Sequence, residues 1–375
     1  MKAYGWQAYQ FDYSNPEDLK RILDLIRFDY GETDKAFLEY FRWEYEDNPA
    51  GKAVIWLAKY KDEVIGQYIV NLMRFKIGEA IRTGAVAVNV LVREDFRKKG
   101  VYIYLENKTY ETCTQQGVDF TYGFPNKNVY KTYIRQLRED VIGTVPLFIK
   151  PVKIRLLLEK YYKNKFIIRA FAPFLYLILK VKDLIIALFS FSRRPGFYKN
   201  YNIRKIEGFD NRINSFWWAA CEKYKNIMVR DMKFLNWRYF QNPRRKYEVY
   251  VVEDANQNIR AYVALRVALV GNVKTGFIVD MLSIGGEDDK HACHLLIRKA
   301  KEYFRKNSVY LIACLLWSGK NYYHLLKENG FFVCPRKFVP QPCQFVLKTH
   351  SKGINKKDII DPQDWFISLG DFDIV

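Results

Sequence analysis

The 375-residue sequence predicts an α/β protein with mixed sheets, built as two copies of one unit joined by a basic helical segment. Three observations predict it. A strand, a basic turn containing a glycine, and a helix follow one another from Ala85 to Gly117. A pattern of aromatic residues, strands and turns recurs about half-way along the chain. Between the two patterns, residues 150–205 hold fourteen Lys or Arg against Glu159 and Asp183, a net +12 of the chain's formal +20. A content of 49% hydrophobic and 17% aromatic residues, with no long low-complexity tract, fits a packed chain and excludes a disordered one. The length suits about two domains of ~100–200 residues each.

In chain order, Met1 leads into Lys2, Ala3 and Tyr4 without an apolar run, so no signal peptide is expected. Residues 1–50 read as helix-rich. Asn15-Pro16-Glu17 supplies a start signal, and Ile22, Leu23, Leu25 and Ile26 an apolar face. Ala53–Tyr60 and Glu63–Phe75 form a hairpin about Lys61-Asp62, and a further pair is predicted at Glu79–Ile81 and Ala85–Val92. That last run is apolar and β-branched, as a strand covered on both faces should be. A helix from Val101 ends at Gly117, which takes the left-handed conformation without a Cβ penalty. Phe120–Phe124 is a short strand candidate, followed by Pro125, Asn126 and a helical stretch with Tyr130 and Tyr133.

Arg97, Lys98, Lys99 and Gly100 lie between the apolar strand and the helix. Strand, basic turn and helix start make a device for holding phosphate, because backbone N–H groups and the helix dipole point at the anion and the cations neutralise it. This arrangement resembles the acetyl-coenzyme A loop of the GNAT superfamily of N-acetyltransferases, Gln/Arg-x-x-Gly-x-Gly/Ala. Arg97 and Gly100 match that pattern, and Tyr102 stands where it has Gly or Ala. Asn126 and Tyr133 have the family's spacing of seven after the next strand. Gly-Phe-Pro-Asn at 123–126, the bulky residue at 102 and the C-terminal run Trp365 to Asp373 resemble a bacterial branch associated with surface polysaccharides.

The resemblance implies an enzyme with two GNAT-like domains in tandem and acetyl-coenzyme A as co-substrate. It places the coenzyme on Leu91, Val92, Arg97, Lys98, Lys99, Gly100, Val101, Tyr102 and Asn126, with backbone N–H groups of Leu91 and Val92 also serving the oxyanion. Tyr133 becomes the acid that protonates the leaving thiolate. The implied reaction is acetyl transfer to an amine, an amino sugar on a nucleotide or lipid carrier in surface-polysaccharide synthesis. A Fem-type aminoacyl transferase and a non-catalytic scaffold are the alternatives.

The second half repeats the first. Trp43 to Trp237 and Pro49 to Pro243 span the same 194 positions, and Thr83-Gly84 is echoed by Thr275-Gly276. Tyr247–Val252 and Ile259–Val267 stand in the places of the first hairpin. These spacings predict one domain over 1–150, a linker over 151–205, a second domain over 206–350 and a tail over 351–375, and the resemblance makes the first the acetyl-coenzyme A-binding one. In the second copy the phosphate turn becomes Gly285-Gly286-Glu287-Asp288-Asp289, whose carboxylates repel a pyrophosphate, so only the first copy is expected to bind coenzyme.

Within the linker, residues 166–191 are rich in Leu, Ile and Phe. Their uncharged runs, 170–179 and 184–192, are too short to cross a bilayer, which needs ~20 apolar residues. Two readings stay open: a helix packed on protein, a second subunit included, or one lying in an anionic membrane surface. No nucleic-acid motif accompanies the charge. Six cysteines without a Cys-x-x-Cys pair read as reduced thiols of a cytoplasmic protein, peripheral at the inner face of the membrane under the second reading. No metal site is expected from His291, Cys293 and His294. All four histidines fall in the second half, so the first has no histidine of its own to act as base; the sequence does not identify the base, with Glu44, Glu46 and Asp47 candidates and Asp371 and Asp373 of the tail further ones.

Overall fold

The computed structural model of the chain describes residues 5–126, 140–153 and 201–372, apart from 286, 340, 342 and 352, together with 130, 159, 177 and 181. Its first elements are β1 (Gln7–Gln10), α1 (Pro16–Tyr30), and α2 (Leu38–Phe41), which runs into a π-helical turn, Arg42–Glu46. They are followed by β2 (Val54–Tyr60), β3 (Glu63–Ile77), β4 (Ala80–Val92), α3 (Val101–Gln115), β5 (Phe120–Gly123), β6 (Asp140–Thr144) and β7 (Leu147–Pro151). The later elements are β8 (Asn202–Ile206), α4 (Arg212–Cys221), β9 (Asn226–Met228), α5 (Met232–Tyr239), β10 (Glu248–Glu253), β11 (Ile259–Val270) and β12 (Val273–Ser283). Then come α6 (Glu287–Lys306), β13 (Leu311–Trp317), α7 (Gly319–Glu328), β14 (Phe332–Val333), β15 (Gln344–Thr349) and β16 (Trp365–Ser368). The fold is α/β with a large mixed sheet.

Local signals act as expected at several ends. The Asn15 side chain accepts the Glu17 N–H with Pro16 at the first helical position, and Gly117 adopts φ 74° just past α3. One expectation needs correction: the two strand pieces predicted at 79–81 and 85–92 are one strand, β4. Its Gly84 breaks the sequence pattern but not the strand. A Cβ there would run into the Phe120 ring, and one at Gly276 would run into Phe304, so each glycine makes room for an aromatic ring.

Strands β2, β3 and β4 form an antiparallel meander, and β5 returns parallel to β4. Strands β10, β11 and β12 do the same, with β13 parallel to β12. The second strand after each parallel return goes to the other set. Strand β7 inserts between β13 and β14, while β15 inserts between β5 and β6. The boundaries at 150 and 350 therefore follow strands that hydrogen-bond in the opposite half.

The halves also meet at Trp43 and Trp237. These rings stack at 4.9 Å, and each indole N–H donates to the other residue's carbonyl at 2.9 Å. Arg74 pairs with Asp231, and Arg266 lies 3.8 Å from Asp34, which also accepts from Arg245 at 3.1 Å.

The tail is central, not peripheral. Strand β16 joins β9 to β13, closing one continuous sheet. The buried guanidinium of Arg230 donates to Asp280 at 3.0 Å, to Asp371 at 2.6 Å and to Ser368 Oγ at 3.1 Å. Burial pushes the Asp371 carboxyl up to about 6, against the pull of Arg230. The six cysteines are all buried and free.

Candidate active site

The site begins where β4 and β5 part. They pair only over Gly84–Phe120, Ala85–Thr121 and Val86–Tyr122; beyond Val86, β4 continues to Val92 with β3 as its sole described partner strand. A wedge thus opens along one side of β4 residues 87–92. Leu91 and Val92 lie at its wide end, opposite Gln67 and Gly66 of β3. Gly66 lets the helix start come close, since a Cβ there would lie 3.1 Å from the Val101 side chain and 3.3 Å from the Leu91 carbonyl oxygen.

The basic turn closes that end. Lys98 and Gly100 are both left-handed, at φ 63° and 79°, a conformation that gathers backbone N–H groups into an anion-binding concavity. Among the described residues no side chain caps α3, and no acid lies in its first turn to answer the positive end of its dipole. Arg97 is exposed. Its Nε donates to the Val92 carbonyl at 3.1 Å and its guanidinium lies 3.9 Å from Asp29, so it ties the turn to the end of β4. Lys98 is exposed, and the half-buried Lys99 places its ammonium 4.8 Å from the Phe96 ring centre.

Tyr102 points back along α3. Its ring packs edge-on to Tyr68 and its hydroxyl reaches Glu106 at 3.5 Å. Glu106 is buried; Tyr68 and Tyr110 also donate to its Oε1, at 2.5 and 3.0 Å, while its Oε2 has no partner among the described residues. Desolvation pushes this carboxyl up to about 7, the tyrosine hydrogen bonds opposing the shift. Asn126, exposed, accepts the Tyr130 N–H on its carbonyl at 3.0 Å. Tyr133 and Asp373 lie outside the described residues.

Sequence reasoning missed the polar cluster on the opposite face of the sheet from α3. Strand β4 bulges at Asn89, φ 49°, so Tyr68 faces two residues of β4 where one is usual. The Gln67 amide donates to the Asn89 carbonyl at 2.8 Å, and Asn89 in turn bonds Tyr45 and Lys35. Asn71, opposite Val86 at the parting point, donates to Glu44 at 3.5 Å. The amide oxygens of Gln67 and Asn71 are buried without partners among the described residues. The available signal was three amides, at 67, 71 and 89, inside otherwise apolar strands. Of the carboxylates proposed as base, Glu44 is buried at the wedge, Glu46 is half-buried and Asp47 exposed. Asp371 does reach between the halves, where it is held by Arg230.

The second half parts its strands differently. Strands β12 and β13 pair from Thr275–Leu311 to Ile278–Cys314, and β16 then joins β13 through Leu316 and Trp317. Ser368 Oγ donates to Asp280 at 2.9 Å, so the tail fills the matching wedge. Asp289, in the acidic turn, is buried and accepts from Arg260 at 3.1 Å.

Residues 10–135 match the family of acetyltransferase (GNAT) domains. The wedge, the bulge and the basic turn all fall within those matched residues. Among solved structures, yeast N-myristoyltransferase (Saccharomyces cerevisiae) with bound myristoyl-CoA is similar, with a TM-score of 0.61 at 12% identity, over 92% of this chain and 79% of that one. A protein of Enterococcus faecalis V583 described as a probable N-acyltransferase is similar with a TM-score of 0.59 at 11% identity, over 92% and 72%. At such identities the likeness concerns the fold. Comparison with curated proteins gives no match.

Proposed function

We propose that the protein transfers an acetyl group from acetyl-coenzyme A to an amine, and that the first half carries the chemistry. The observation that supports this best is the open side of β4, running from the parting point to a turn with two left-handed residues and an uncapped helix start. In this reading the pyrophosphate rests on the turn from Arg97 to Tyr102, and the thioester lies in the wedge beside Leu91 and Val92. The amine nitrogen attacks the thioester carbonyl carbon, a C–N bond forms, the C–S bond breaks, and the thiolate leaves. Glu44 takes the proton from the amine, being a buried carboxylate that accepts from Asn71, opposite Val86 at the parting point. The resemblance gives Tyr133 the return of a proton to sulfur.

The second half is read as a copy of the first that no longer binds coenzyme. Support comes from the matching order of strand pairing, the reciprocal tryptophans and the tail in its wedge. An amino sugar as acceptor, in surface-polysaccharide synthesis, rests on the resemblance at 123–126 and 365–373. Association with an anionic membrane rests on the charge of 150–205; among the described residues no helix is long and apolar enough to cross one.

A screen of amine acceptors with acetyl-coenzyme A, reading released thiol, tests the reaction on the wild type and Gly100→Glu. The carboxylate is expected to repel the pyrophosphate and abolish turnover. Unchanged turnover in that variant removes the coenzyme site proposed here.

A further inference from the structure

A cavity of about 380 Å³ lies between the halves, on the far side of the molecule from the coenzyme turn. It falls within the ~300–1,000 Å³ range of small-molecule sites. Arg74, which lines it, pairs with Thr83, eight residues along β3 from the Gly66–Val92 pair, or about 26 Å at ~3.3 Å per residue. A ligand here does not meet the thioester.

The walls have two characters. Trp217, Trp218 and Ile81 are apolar, and Trp218 and Ile81 are 57% and 44% exposed, which leaves part of an indole face open to a ligand. Four polar side chains, Asn211, Asn214, Arg74 and Lys233, offer donors. Asn214 spends its oxygen on the Met232 N–H at 2.9 Å, leaving its NH₂ group. Asp231 spends its oxygens on the Phe234 N–H at 2.9 Å and on Arg74. What remains is the Asn214 NH₂ group, the Asn211 amide with a donor and an acceptor, the rest of the Arg74 guanidinium and the exposed Lys233 ammonium, while the Trp217 indole N–H is buried with no acceptor among the described residues. Arg74 and Lys233 against Asp231 leave one positive charge.

We propose that this cavity binds an acidic sugar, a pyranose ring carrying a carboxylate or a phosphate. A sugar presents C–H groups on one face, suited to an indole, and a rim of oxygens that accept from several donors at once. An aromatic acid has the flat face but too few oxygens for four donors, and a neutral sugar leaves the extra charge unanswered. The proposal does not rest on acetyl transfer.

Calorimetric titration of the full chain with tetragalacturonate, glucose 1-phosphate and cellotetraose tests it. At least one acid is expected to bind about tenfold or more tightly than neutral cellotetraose. Lys233→Gln should remove most of that preference, and Trp218→Ala should weaken the acid about tenfold. Whichever acid binds tells carboxylate from phosphate. Three results overturn the proposal: no binding of either acid up to about 10 mM, equal binding of cellotetraose, or acid binding untouched by both substitutions. Both side chains are far from the coenzyme turn, so acetyl-coenzyme A, which the proposed function expects to raise the melting temperature of the wild type, should raise it in each variant and report that it folds. Loss of that rise in the wild type would fail the acetyl-transfer reading without bearing on this one.

Discussion

Gly100 is the residue on which the basic turn depends geometrically. Nothing lies within 4 Å of where its Cβ would be, so the objection to a side chain is the backbone, at φ 79°. Gly100→Ala should cost about 1–2 kcal/mol of strain and weaken acetyl-coenzyme A, measured by calorimetry, while Lys98→Ala at an exposed cation should weaken it less. Glu106 makes a pH prediction. Its carboxyl is raised from 4.5 to about 7, so the folded state binds a proton that the unfolded state has lost. Its contribution, on the order of 3 kcal/mol, is full below pH ~4.5 and is lost as pH rises through ~7. Melting temperature should fall over that window, and Glu106→Gln should flatten the fall. The tryptophan pair offers a test of equivalence: Trp43→Phe and Trp237→Phe each delete one indole donor to a buried carbonyl. Each should cost about 1–3 kcal/mol in urea unfolding, and by similar amounts if the two positions are equivalent.

At the scale of elements, the exchange of β7 and β15 matters most. Each set of strands is completed by a segment that belongs in sequence to the other, and β15 borders β5, one wall of the wedge. A chain ended after Cys343 loses β15 and the tail with its Arg230–Asp371 pair, whose disruption alone should cost about 3–5 kcal/mol. Neither half of that chain is expected to fold, as circular dichroism and urea titration would show. Retained cooperative unfolding of the first half would mean that β15 is dispensable to it.

For the whole molecule, the interlock and the shared sheet predict one unfolding transition, although the chain has the length of two domains. Two resolved calorimetric transitions would contradict this. The charge of 150–205 makes a separate prediction from sequence alone: the protein should pellet with vesicles of anionic lipid at low salt and be released at high salt. Equal recovery with and without vesicles assigns the segment to packing on protein.

The sequence by itself determined what depends on neighbours along the chain. The Asn15 cap, the Lys61-Asp62 hairpin, the strand, turn and helix over 85–117, and the glycines at 100 and 117 are local devices, and each acts where its residues predict. The geometry of the basic turn was legible for the same reason. The tertiary structure alone decided which strands pair, because a run such as Gln344–Thr349 suits any sheet edge and only distant geometry selects β5 and β6. It decided that Glu44, Gln67, Asn71 and Asn89 converge, since their meeting needs a bulge and a helix 27 residues away from Asn71 in sequence. It also decided the tail's place. In sequence Asp371 is an acidic residue near a chain end; folded, its charge is answered by Arg230 in a wedge that a repeated strand pattern had already shaped.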